Sequence, residues 1–144
     1  MANATATLND RNFTFELVAP EKTAVASVEE RVLLPGELGD FMVLAGHTPL
    51  LAGLRPGVVT VERERESTYY FITGGIADVG NTHCMVLTPH VTPLAKMDED
   101  KLAKDMAETE IALNEVKDRH EQEHLQEKLE ILRLKIEAIK QYGK

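Results

Sequence analysis

Residues 58–71, VVTVERERESTYYF, decide how the first two thirds of the chain must be read. Val58-Val59-Thr60-Val61 is β-branched throughout and gives way to charge at Glu62-Arg63. Thr68-Tyr69-Tyr70-Phe71-Ile72-Thr73 is aromatic and β-branched, the composition that packs well on a pleated surface. The charged stretch between them, Glu64-Arg65-Glu66-Ser67, reads as the exposed tip of a β-hairpin.

Working outward, the same strand grammar continues. Phe13-Thr14-Phe15-Glu16-Leu17 alternates and puts Phe13, Phe15 and Leu17 on one face. Ile76–Val79 and Met85–Leu87 are further short apolar runs. Pro35-Gly36, Pro56-Gly57, Gly74-Gly75 and Gly80-Asn81 read as the turns that separate strands. Short strands at this spacing predict an all-β sandwich or barrel.

The grammar changes near residue 97. Beyond it there is no proline, and Gly143 is the only glycine. Met97-Asp98-Glu99-Asp100 sets acids at a helix start, where they favour the free N–H groups and the helix dipole. Leu102, Met106, Leu113 and Val116 line one side of that helix, with Thr109 as a polar gap. A turn is predicted around Lys117–Glu121. In the second helix Leu125, Leu129, Leu132, Ile136 and Ile139 are spaced 4, 3, 4, 3, the seam of a coiled coil or antiparallel helix pair. Ile131 and Leu134 lie outside the seam and suggest a second contact face. So thin a seam implies a tail that leans on the head, or on a partner, to stay folded.

Composition bounds the function. The chain has 144 residues and a net charge of −8, so anionic surfaces repel it and nucleic acid or bare lipid is a poor ligand. No apolar run approaches the ~18 residues of a bilayer span. The N-terminal MANATATLNDRNF has no basic start and no apolar stretch, and reads as neither a secretory signal nor a transit peptide. The glycosylation tripeptides at Asn3 and Asn12 therefore carry no weight. Cys84 is the only cysteine and lies in an apolar run, which suits a small core residue in a reducing compartment.

Few stretches could carry chemistry. His120-Glu121-Gln122-Glu123-His124 is a literal HExxH, which on a helix could hold zinc with Glu121 as general base. No third ligand follows in LQEKLE (125–130), so a solvated turn between two helices is the better reading. A zinc peptidase and a free-standing β-sandwich adaptor are the competing functional classes. The acids Glu29, Glu30, Glu62, Glu64 and Glu66 read as solvated strand faces and tips. Lys128, Arg133, Lys135, Lys140 and Lys144 read as a solvated helix face that could meet an acidic partner. His47, in Gly46-His47-Thr48-Pro49-Leu50, is a loop histidine that either bonds its own turn or makes a surface contact.

Four blocks resemble, in order, the epsilon-subunit family of bacterial F-type ATP synthases. These are FELVAPEK (15–22), LPGELGDFMVLAGHTPL (34–50), LRPG (54–57) and FITGGIADV (71–79). The resemblance implies an α+β chain: an N-terminal antiparallel β-sandwich of about ten strands at residues 1–97, then a C-terminal two-helix hairpin at 98–144. It implies a non-catalytic rotor subunit of the central stalk, with no cofactor and no metal. The head would bind the gamma subunit and the c-ring. Asp40 and His47 fall where the family's ring-contacting carboxylate and histidine stand. The hairpin would reach the alpha/beta catalytic hexamer and restrain ATP hydrolysis. The complex would hold the chain peripherally at the cytoplasmic face of the bacterial inner membrane, where it takes part in ATP synthesis driven by a proton gradient.

Some positions depart from the family pattern. Met42 replaces a frequent glycine, and Asp40 the more usual glutamate. Of the motif by which some members hold ATP in the tail, only Asp98 matches; Lys101 and Glu108 stand where arginines would be. Lysine lacks the fork that grips phosphate and glutamate repels it, so no useful ATP affinity is expected.

Overall fold

The computed structural model describes residues 8–20 and 22–143. Glu21, Lys144 and the tripeptide at Asn3 lie outside the described residues. Two compact units divide between Thr92 and Pro93.

The strands are β1 (Phe13–Ala19), β2 (Lys22–Glu29), β3 (Arg31–Gly36), β4 (Gly39–Leu44), β5 (Leu50–Arg63), β6 (Glu66–Val79), β7 (His83–Leu87) and β8 (Val91–Pro93), which ends at the boundary between the units. The strand order is β2-β1-β7-β6-β5-β3-β4, with β8 beside β6. β1 and β7 run parallel, with Phe15 opposite Cys84. The other strand registers are antiparallel. Phe15 of β1 and Val43 of β4 share one buried cluster with Leu34, Val59, Ile72 and Val86. Strands five places apart in a flat sheet would stand about 24 Å from each other at ~4.8 Å per strand. The sheet therefore folds over on itself as a sandwich with a single core. The alternation expected in β1 is present: Phe13, Phe15 and Leu17 are buried, while Thr14 and Glu16 face solvent.

Among the described residues eight strands stand where the resemblance implied about ten. Two of the expected turns are also not turns. β5 runs through Pro56-Gly57 and β6 through Gly74-Gly75, each for 14 residues. The breaks face each other, since Leu54 pairs with Gly75 and Pro56 with Thr73. Gly74 and Gly75 take φ of 95° and 142°, which glycine alone adopts freely. The hairpin tip is also tighter than its composition suggests. Ser67 and Glu66 pair with Glu62 and Arg63, leaving a two-residue loop of Glu64 and Arg65 at φ 55° and 68°. Positive φ at both positions is the geometry that suits strand twist in a two-residue hairpin, here without the usual asparagine or glycine. Glu29 is a second correction. It is only 5% exposed and accepts a hydrogen bond from Ser27 Oγ at 2.6 Å. Its neighbouring charge and burial together push the Tyr70 phenol pKa up, burial being the larger cause.

The second unit carries a single 3-10 turn at Leu94–Lys96, α1 (Glu99–Glu115) and α2 (Arg119–Tyr142). Asp98 caps α1 by accepting from the backbone N–H groups of Asp100 and Lys101. α1 ends at Val116, and Asp118 caps α2 through the N–H of His120. A three-residue link of this kind turns the chain back so that α2 packs on α1. The HExxH stretch thus belongs to the first turns of α2 and not to the link, because the cap sits at Asp118. Thr109, the polar gap, is the buried residue of α1; its hydroxyl donates to the Asp105 carbonyl at 2.7 Å, which satisfies it inside the helix. Lys135 differs from the solvated basic residues around it. It is half-buried, and burial lowers its pKa while nearby Asp105 acts the other way. Among the described residues no helix is long and apolar enough to cross a membrane.

Candidate functional site

β4 lies at one end of the strand order, so among the described residues one of its edges has no neighbour in the sheet. Its period-two pattern divides it cleanly. Val43 is buried and Phe41 half-buried, whereas Asp40, Met42 and Leu44 face solvent. An edge strand with two apolar side chains turned outward invites pairing with another chain and marks a partner surface. Pattern alone could have found Met42 and Leu44, since a charged Asp40 at the head of an alternating run fixes which face is outer.

Both ends of β4 are held by turns. At its start, Gly36 pairs with Gly39 and Pro35 with Asp40, closing a turn at Glu37-Leu38. Leu38 at the tip is fully exposed. The Glu37 amide donates to the Gly53 carbonyl at 2.9 Å. Asp40 Oδ1 accepts from Arg55 Nη2 at 2.6 Å, and Arg55 Nη1 donates to the Gly36 carbonyl at 2.6 Å. A hollow of about 460 Å³ lies between this turn and the start of β5, bordered by Glu37, Leu38, Phe41 and Leu51 among others. At its far end Gly46 takes φ 81° and donates to the Asn81 carbonyl at 2.8 Å. The His47 amide donates to Leu44 at 3.1 Å, and its Nδ1 donates to the Thr48 carbonyl at 2.6 Å. A carbonyl oxygen can only accept, so Nδ1 carries the proton of this bond.

Asp40 and His47 therefore do not converge. Asp40 lies near the start of β4 and His47 in the turn beyond its end, with the four extended steps from Asp40 to Leu44, about 13 Å at ~3.3 Å per residue, between them. This is the geometry of an extended contact line and not of a catalytic pair.

A second hollow of about 440 Å³ is lined by Val18, Pro20, Ile76, Leu87 and Pro89 among others, with no titratable side chain among the described residues. Cys84 is buried, and burial with the Asp78 charge pushes its thiol up to about 12, which makes it inert at neutral pH. His120 and His124 are exposed on α2. Among the described residues no three His, Cys, Asp or Glu side chains gather to hold a metal ion. Asp98, the residue that matches the nucleotide motif, is engaged as the α1 cap.

Residues 12–93 match the family model described as ATP synthase, Delta/Epsilon chain, beta-sandwich domain. The chain belongs to the ATP synthase delta/epsilon family. The ATP synthase epsilon chain of Maricaulis maris is 36% identical over 109 residues, which is 76% of this chain and 82% of that one. The epsilon chain of Afipia carboxidovorans is 42% identical over 98 residues, 68% and 72% of the two chains. In fold, the chain resembles one in the Euglena gracilis mitochondrial ATP synthase OSCP/F1/c-ring structure. That match has a TM-score of 0.76 at 24% identity, covering 98% of this chain and 88% of the other. A chain of the Tetrahymena thermophila central stalk and c-ring structure matches at TM-score 0.56 and 13% identity, over 91% and 98%. The delta/epsilon assignment thus rests on the sandwich unit, while the fold likeness extends through the helices.

Proposed function

We propose that this chain is a central-stalk rotor subunit of a bacterial proton-translocating F-type ATP synthase, with no catalytic site of its own. The observation that carries the reading is the outward line Asp40–Met42–Leu44, continued by His47, on the edge strand of a delta/epsilon sandwich. Residues 1–97 form the head that couples the gamma subunit to the c-ring. Asp40 and His47 mark the ring side, and the exposed apolar side chains of β4 supply buried area once a neighbour covers them. The reading makes the chain a peripheral subunit on the cytoplasmic face, attached through the complex. It transmits torque through a broad interface and performs no chemistry on ATP.

Residues 98–144 act as the regulatory tail, reaching the alpha/beta hexamer and restraining hydrolysis. Support comes from the sparse burial along the two helices, the property expected of a segment that changes place at modest cost.

Deleting residues 98–144 tests both halves. The synthase is expected to assemble with the shortened chain and to hydrolyse ATP faster. An unchanged rate dismisses the brake. A synthase purified with all its other subunits but without this chain dismisses the rotor assignment.

A further inference from the structure

Arg55 is placed where the backbone ladder is weakest. Between β3 and β5 the register slips: Leu33 faces Thr60, yet Gly36 faces Leu54. Between β5 and β6, Arg55 falls in the gap between the Leu54–Gly75 and Pro56–Thr73 pairs. Pro56 has no N–H to give, so main-chain bonding cannot be continuous there. The Arg55 side chain spans the gap instead. One arm of its guanidinium holds the Gly36 carbonyl and the other holds Asp40, both at 2.6 Å. These two anchors flank the Glu37-Leu38 turn on either side. With Glu37 N–H on Gly53, the turn is fastened at three points while Leu38 stays fully exposed.

We propose that Arg55 is a positioning residue for the Asp40 contact: it holds the β3–β4 turn so that Asp40 and Leu38 are presented together to the partner. This rests on the rotor reading and deepens it. Three consequences follow from the chemistry. The planar fork is essential, because a lysine ammonium is a point charge that cannot hold two divergent acceptors in fixed geometry. Asp40 meets its partner as half of an ion pair, not as an isolated negative charge. Asp40 and Arg55 act as one unit, so their substitutions are not additive.

The test uses the full chain, rebound to synthase stripped of it, with Arg55→Ala, Arg55→Lys, Asp40→Asn and the double variant Asp40→Asn/Arg55→Ala. Arg55→Ala is expected to weaken rebinding about tenfold, the scale of losing charge-assisted hydrogen bonds. Arg55→Lys should weaken it about threefold or more, and the double variant should be no worse than Arg55→Ala alone. In the free chain, amide exchange at Glu37, Leu38 and Gly39 should quicken in both arginine variants while the thermal midpoint of the head holds. Wild-type-like rebinding by Arg55→Lys, or additive losses in the double variant, would overturn the proposal. So would unchanged exchange at the turn, which is read without any complex. If the wild-type chain itself fails to rebind, the rotor reading falls, and the exchange measurement still decides the role of Arg55.

Discussion

The sandwich and the helical tail bury apolar surface in contrasting ways. In the sandwich Phe15, Leu17, Val32, Leu34, Val59, Ile72 and Val86 are completely shielded, and they come from strands far apart in sequence. In the two helices, among the described residues, only Thr109, Leu132 and Ala138 are buried, and the seam residues Leu125, Leu129, Ile136 and Ile139 are half-covered. Long-range contacts that share one core must form or fail together. Local contacts along two helices can loosen piecemeal, since each turn depends mainly on its own neighbours. The contrast fits a rigid coupling piece joined to a segment suited to rearrangement.

The largest effect that could break this contrast is truncation in the sandwich core. Phe15→Ala should cost about 3–5 kcal/mol, a large share of the stability of a unit this small. Urea unfolding followed by circular dichroism should show the whole strand signal moving to lower denaturant. Leu132→Ala in the tail should cost about 2 kcal/mol and lower the helix signal alone. Equal, global responses to the two substitutions would erase the distinction.

A backbone change comes next. A Cβ at Gly75 would sit 2.0 Å from the Leu87 carbonyl oxygen, on a residue with φ +142°. Gly75→Ala should therefore cost about 3 kcal/mol, read as a lower melting temperature with faster amide exchange along β6 and β7. The smallest effect is a gain. Replacing Glu64 by Asn together with Arg65 by Gly suits the positive φ at both loop positions, and should stabilise the sandwich by about 1 kcal/mol. A drop in melting temperature would mean that the charged tip contributes more than its strained backbone costs.

How far the sequence could be read follows from which interactions are local. β1 was legible because alternation of Phe13, Phe15 and Leu17 is a property of adjacent residues. So was the start of α1 at the acids Asp98-Glu99-Asp100, where Asp98 is the cap. The long strands were not, because Pro56-Gly57 and Gly74-Gly75 carry the signature of turns. What keeps them extended is that each break lies opposite the other in the paired strand, a fact no single segment contains. Glu29 was misread for a similar reason: its burial depends on its place at the end of β2, not on its own polarity. In the candidate site, Asp40 and His47 came from resemblance, and the outward face of β4 was available from alternation. Arg55 was invisible, since its role depends on a ladder gap and on residues 15 and 19 positions away.

The inertness of Cys84 offers a direct route to the central claim. It is the only cysteine, and its thiol is pushed up to about 12 by burial and the Asp78 charge. Between the ordinary value of 9.0 and about 12 the folded chain keeps a proton that the unfolded chain has lost, so alkali weakens folding there while neutral pH leaves the thiol silent. A cysteine placed at position 47 is then the one reactive thiol of this chain in the native assembly. Synthase carrying His47→Cys, treated near neutral pH with a short reagent that is thiol-reactive at one end and photoreactive at the other, should on illumination join this chain to a subunit of the c-ring. An intact synthase in which position 47 cross-links only to subunits outside the ring, or stays open to bulk reagent, would contradict the placement of this edge against the ring.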